Sequence, residues 1–195
     1  IDFIDQCKAE GKPFFVYLPP NAPHGPYHDV PEELYEYYRQ ADLASVMRGN
    51  MNQQDQVARI AAMIENIDQN VGRLRQHLQS VQLADNTVII FLVDNGPNSS
   101  RYVGPFRGMK GHVHEGCIRS PFYVHWPGRL KPGTPNDRIS AHIDIMPTIL
   151  DAADVDLPNN HMIAGRSLLP PLEGRQVEWP DRHLVSQVHR GDRPI

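Results

Sequence analysis

The stretch VIIFLVDNGPN, residues 88–98, decides how this chain is read. Residues 88–93 are apolar without a break, the pattern of a strand covered on both faces, as parallel strands in α/β domains are. The run passes directly into Asp94, Asn95 and Gly96. Ligands of open parallel sheets bind beyond the carboxyl ends of the strands. A functional site is therefore expected where this strand stops, with Gly96 allowing the chain to turn sharply there.

Outward from that stretch, strand-like and helix-like runs alternate. PFFVYLPP, residues 13–20, is aromatic and β-branched and closed by prolines, the pattern of a buried strand ending in a loop. Further on, apolar residues fall at Val57, Ile60, Ile64, Ile67, Val71, Leu74, Leu78 and Val81. This spacing predicts one face of an amphipathic helix about 37 Å long at 1.5 Å per residue. A strand follows within a few residues, which favours a helix lying against a sheet over a coiled coil. PFYVHWPG, residues 121–128, predicts another strand; DIMPTILDAAD, residues 144–154, a helix; and HLVSQV, residues 183–188, a last strand. The alternation predicts an α/β fold with a mostly parallel, mixed sheet flanked by helices. Residues 1–195 are expected to be a single partial domain, with 13–153 as its α/β core segment and 154–195 as a loop-rich C-terminal extension.

Composition removes several classes of function. With 195 residues, 40% of them hydrophobic, the chain has the make-up of a folded globular protein. A net charge of −4 and a pI near 6.2 supply no global attraction to nucleic acid or to an anionic membrane surface, so neither is expected as a partner. The longest apolar run, residues 88–93, is far too short to span a bilayer. The opening IDFIDQCKAEGK has neither an initiator Met nor a basic segment followed by an apolar one, which suggests an internal fragment whose targeting information lies elsewhere. Cys7 and Cys117 fit neither a disulfide framework nor a zinc spacing.

Two of the expected strands end in residues with chemistry. The first delivers His24, in NAPHGP, on a loop that prolines stiffen. The second delivers Asp94 and Asn95, a hard oxygen pair suited to Ca²⁺ or Mg²⁺ rather than Zn²⁺. The bland reading of Asp-Asn-Gly is a plain turn. Against it stands the following segment, RYVGPFRGMKGHVHEGCIR, residues 101–119, where Arg101, Arg107, Lys110 and Arg119 face a single acid, Glu115, in a chain acidic overall. Interspersed glycines let backbone approach a ligand, and the basic loop suggests a bound anionic group. His112 and His114 form an H-x-H pair, but no third ligand of matching type accompanies them.

Taken in order, NAPHGP, VDNGP, GMKGHVHEGCIRSPF, HIDIMPTIL and GRSLLPPLEG resemble the sulfatase family of the alkaline phosphatase superfamily. The resemblance runs from about Pro13 to Gly174 and implies an alkaline-phosphatase-like α/β fold, incomplete in this chain. It implies that Asp94 and Asn95 ligate a divalent cation, most often Ca²⁺. It implies that His24 contacts the sulfate ester and protonates the leaving oxygen, and that Lys110 binds a sulfate oxygen. It also implies a formylglycine nucleophile, made from the first residue of a Cys- or Ser-x-Pro-x-Arg motif, and an upstream acidic pair. Neither that motif nor Asp-Asp occurs in these residues. Where the family reads Glu-Gly-Gly, this chain has Glu115, Gly116 and Cys117.

The expectation is a sulfatase fragment, inactive alone, whose parent cleaves small-molecule or glycan sulfate esters, arylsulfatase-like. A periplasmic or extracellular location comes with the resemblance, and an exposed sheet edge is expected to favour homo-oligomers. Two alternatives stand beside it: a phosphonate or phosphate ester hydrolase of the same superfamily, and a non-catalytic anion-binding module. Asn95 argues against a two-zinc phosphatase, which wants more His and Asp at the metal.

Overall fold

The computed structural model describes residues 1–48, 51–157 and 162–187. It divides into two units, Ile1–Gln82 with Asn95–Arg119, and Leu83–Asp94 with Ser120–Ile195. The first unit carries helices α1 (Asp2–Ala9), α2 (Glu32–Gln40), α3 (Ala44–Met47), α4 (Gln54–Ser80) and α5 (Glu115–Ile118).

The predicted long helix is α4, with 27 residues. Its first half buries Val57, Ala58, Ile60, Ala62 and Met63, whereas Ile64, part of the expected seam, is 52% exposed. The apolar face is broader at its start than the spacing alone indicates because Ala58 joins Leu43, Met47 and Val57 in a cluster under Tyr35, Tyr38 and Ala41. Polar contacts fix the packing of α2 on α4: Tyr35 Oη donates to Asp55 at 2.5 Å and Tyr38 Oη to Glu65 at 2.7 Å. The Glu65 hydrogen bond pushes the Tyr38 phenol up to about 12. At the far end, Lys8 of α1 donates to the Val81 carbonyl at 2.8 Å, and His77 meets Asp5 at 2.7 Å. An ammonium at a helix C-terminus satisfies a carbonyl that the helix leaves orphaned and opposes its dipole.

Residues 13–20 form no strand: Phe15, Tyr17 and Leu18 are 68%, 77% and 68% exposed. An apolar run becomes a strand only with a ladder partner, and among the described residues it has none. The same holds for 183–187 of the predicted last strand; Val188 lies outside the described residues.

In the second unit, β1 (Ile89–Leu92) and β2 (Phe122–His125) pair with Ile89 opposite His125 and Leu92 opposite Phe122. The pairing is antiparallel, which corrects the expected mostly parallel sheet; among the described residues the sheet has these two strands. Return to a parallel neighbour needs a crossover, usually a helix, and the connection here carries one four-residue helix, α5. Nor is β1 covered on both faces: its residues are half-buried and Phe91 is 38% exposed. A continuous apolar run is equally compatible with a short antiparallel strand, so periodicity alone does not decide direction.

The predicted helix near Asp144 is α6 (Ile145–Ala152), and α7 (Leu169–Leu172) follows. Asp144 is fully buried at the start of α6, accepting from the Ala141 and Arg166 N–H groups and from the Arg182 guanidinium. Thr148 Oγ1 donates to the Asp144 carbonyl and accepts from the Leu168 N–H, at 2.6 and 2.8 Å. Trp126, after β2, is buried and donates to the Asp85 carbonyl at 3.0 Å. No helix among the described residues is long and apolar enough to cross a membrane.

Candidate functional site

Within the first unit, the segment that begins at Asn95 is gripped by backbone. The Gly96 N–H donates to the Cys117 carbonyl at 2.7 Å, and a Cβ at Gly96 would stand 1.9 Å from the Gly116 oxygen. Gly96 is therefore demanded by close approach of two backbones rather than by the turn expected from sequence. Gly116 is equally constrained, since a Cβ there would lie 2.6 Å from the Arg107 carbonyl oxygen, to which the Gly116 N–H donates. Gly108 and Gly111 adopt φ of +102° and +86°, conformations that favour glycine. The glycines of the basic loop thus fold it tightly against residues 95–98.

That folding positions Lys110, whose N–H donates to the Pro97 carbonyl at 2.7 Å. The loop is also hung on α3, through the Tyr102 N–H to the Val46 carbonyl at 2.8 Å and Arg48 to the Gly104 carbonyl at 3.1 Å. His114 does not behave as a zinc ligand: Arg107, a donor only, lies 2.9 Å from its Nε2, so that nitrogen's lone pair is occupied. His112 meets His114 edge to face, with ring centroids 6.1 Å apart.

His24 lies on an exposed loop that its own N–H closes onto the Asn21 carbonyl at 2.9 Å. Its Nδ1 is 2.8 Å from the Gly25 carbonyl oxygen. A carbonyl only accepts, so Nδ1 carries a proton and Nε2 is the nitrogen left to exchange one. Tyr27 ties this loop to residues 95–98, because Asn98 Nδ2 donates to Tyr27 Oη at 3.0 Å. Arg59 of α4 reaches the Tyr27 carbonyl at 3.5 Å.

The first unit thus joins the loops of His24, Asn95 and Lys110 through backbone and through the Tyr27–Asn98 pair. Sequence reasoning missed Tyr27, Asn98 and the backbone contact of Gly96 with Gly116. The only signal was the density of Gly and Asn near Asn95, which a plain turn also explains.

Asp94 closes its segment of the second unit. It follows Val93, whose N–H donates to the Pro121 carbonyl at 3.1 Å and whose carbonyl accepts from Ser120 Oγ at 2.5 Å. These contacts continue the β1–β2 ladder one step past the strands, so Asp94 leaves a fixed backbone. Among the described residues no group of three or more His, Cys, Asp or Glu side chains stands together to hold a metal. Asp94 and Asn95 are oxygen donors of the type Ca²⁺ and Mg²⁺ take, and fit part of a sphere of about six to eight oxygens. Cys7 and Cys117 are both buried, and neither begins a Cys-x-Pro-x-Arg motif, so the chain's cysteines do not fit a formylglycine precursor.

A family model described as Sulfatase matches residues 1–155. The chain is 32% identical over 188 residues to the uncharacterized sulfatase YdeN of Escherichia coli (strain K12), covering 95% of this chain and 31% of that protein. It is 30% identical over 198 residues to N-acetylgalactosamine-6-sulfatase of Canis lupus familiaris, covering 98% of this chain and 34% of that protein. Among solved structures, Ps i-CgsB in complex with k-i-k-neocarrahexaose matches with a TM-score of 0.74 and 28% identity, over 87% of this chain and 35% of that one. The chain therefore spans about a third of the length of these proteins.

Proposed function

The chain belongs to the sulfatase family, and from that premise we propose that the intact protein hydrolyses sulfate monoesters, with saccharide sulfates as its substrate class. The observation that carries the reading is the backbone bond from Lys110 to Pro97, which sets an ammonium-bearing residue beside the segment that begins at Asn95. The saccharide class is supported by the N-acetylgalactosamine-6-sulfatase relative and by the neocarrahexaose complex of Ps i-CgsB.

In this reading Asp94 and Asn95 supply oxygen ligands to a divalent cation, Ca²⁺ in preference to Mg²⁺. When bound, such a cation would neutralise charge on the sulfuryl oxygens. Lys110 contributes a second positive charge to those oxygens as they become more negative toward the transition state. His24 binds the ester and, with Nδ1 held by the Gly25 carbonyl, delivers a proton from Nε2 to the departing oxygen. The nucleophile is not among these residues, so the chain alone is expected to be catalytically silent.

The test is sulfate release by the intact protein from 4-nitrophenyl sulfate and from a sulfated disaccharide, before and after chelation. Sulfate release that chelation abolishes and Ca²⁺ restores supports the reading. A preference for phosphonate or phosphate monoesters, or no sulfate release with the nucleophile matured, overturns it.

A further inference from the structure

Arg101 is half-buried on the loop that follows residues 95–98, and its Nε is buried with no hydrogen-bond partner. The hydroxyl of Ser99, two residues earlier in the chain, is likewise buried and unpartnered among the described residues. Several other arginines meet carboxylates: Arg59 meets Asp55, Arg119 Glu115, Arg129 Glu173 and Arg182 Asp144. Among the described residues Arg101 meets none; its guanidinium donates to Asn98 Oδ1 at 3.2 Å. Burial pushes the guanidinium down from its ordinary value, yet an arginine stays charged at neutral pH. A cation held partly out of water without a counter-ion is stabilised by any oxyanion that reaches it, and the guanidinium fork suits a carboxylate or sulfate. Asn98, which orients Arg101, also donates to Tyr27 on the His24 loop.

We infer that Arg101, oriented by Asn98, binds a second anionic group of the substrate, distinct from the sulfate ester that is cleaved. The inference rests on the sulfate-ester reading above and narrows it: the preferred saccharides carry a further carboxylate or sulfate. Arg101 is a specificity residue and takes no part in bond breaking.

The intact protein and its Arg101→Gln and Arg101→Lys variants are assayed on four substrates. These are 4-nitrophenyl sulfate, a monosulfated disaccharide with a carboxylate, its carboxyl-reduced counterpart, and a disulfated disaccharide without carboxylate. Arg101→Gln is expected to raise KM at least tenfold on whichever disaccharide carries the recognised second anion, with kcat within about threefold. The same variant should leave 4-nitrophenyl sulfate and the reduced disaccharide within twofold, and Arg101→Lys should recover part of the loss. The disaccharide that responds identifies carboxylate or sulfate as the group read. Equal losses on all four substrates, or no loss on any, overturn the inference. Equilibrium binding of the same disaccharides separates it from the parent reading. If the wild type cleaves no sulfate ester, the sulfatase reading falls, while a binding preference for the second anion that Arg101→Gln erases still upholds the site. No such preference overturns it.

Discussion

Gly96 and Gly116 touch through backbone: a Cβ at Gly96 would stand 1.9 Å from the Gly116 oxygen and 2.9 Å from Cys117 Cα. The approach presses the segment after Asn95 onto the basic loop, and neither backbone has a flexible end that can yield. Gly96→Ala is expected to destabilise the first unit by about 1–3 kcal/mol or more, the range for forced overpacking. Gly72, inside α4, has nothing within 4 Å of its would-be Cβ. Gly72→Ala should instead stabilise by about 0.5–1 kcal/mol, because alanine has the higher helix propensity. Urea denaturation of the two variants checks the contrast; equal effects would show that the close approach does not exist in solution.

Among the described residues Lys110 is anchored by its own N–H, so truncation of its side chain leaves the bond to Pro97 in place. Lys110→Ala in the intact protein is expected to lower kcat by about 10²–10³, the scale for losing one charge-stabilising donor. The melting temperature should stay close to that of the wild type. A large drop in melting temperature with the rate loss would make Lys110 a structural residue instead.

For His24 the decisive variable is the leaving group. An activated phenoxide departs without a proton, while an alkoxide needs one, so His24→Ala should slow alkyl and saccharide sulfates by about 10²–10⁴ and activated aryl sulfates far less. Rates measured across leaving groups of graded pKa give the slope directly. A slope unchanged by the substitution would remove the general-acid role.

What could be read from sequence was what local pattern encodes. α4, β1, β2 and α6 emerge from runs whose apolar spacing is set by neighbours a few residues away. Strand direction was not legible, because Ile89 finds His125 only through tertiary pairing, and residues 13–20 show that an apolar run without a partner stays out of any ladder. The family motifs marked His24, Asp94, Asn95 and Lys110. The contacts that brace three of these, Tyr27 with Asn98 and Gly96 with Gly116, join segments distant in sequence and leave no periodic trace.

Acid is expected to weaken the second unit through Asp144. Burial alone would raise the Asp144 carboxyl, but hydrogen bonds from Arg182 and from the Arg166 and Ala141 N–H groups outweigh burial and hold it below the usual carboxylate value. A folded-state value below the unfolded one means stability is present above the unfolded value of about 3.9 and is lost as pH falls through the folded one. Asp144→Asn keeps the shape but leaves Arg182, whose side chain is 9% exposed, without its charge partner. Removing one member of a buried pair costs about 3–5 kcal/mol, so the variant should be markedly less stable at pH 7. It should also lose less on acidification below about pH 4, because the group that titrates is gone. The indole of Trp179 lies 5.8 Å from the Arg182 guanidinium carbon, so tryptophan fluorescence during urea unfolding at pH 7 and pH 3 reports this region. If wild type and Asp144→Asn lose stability in parallel on acidification, the Asp144–Arg182 pair is not what acid breaks.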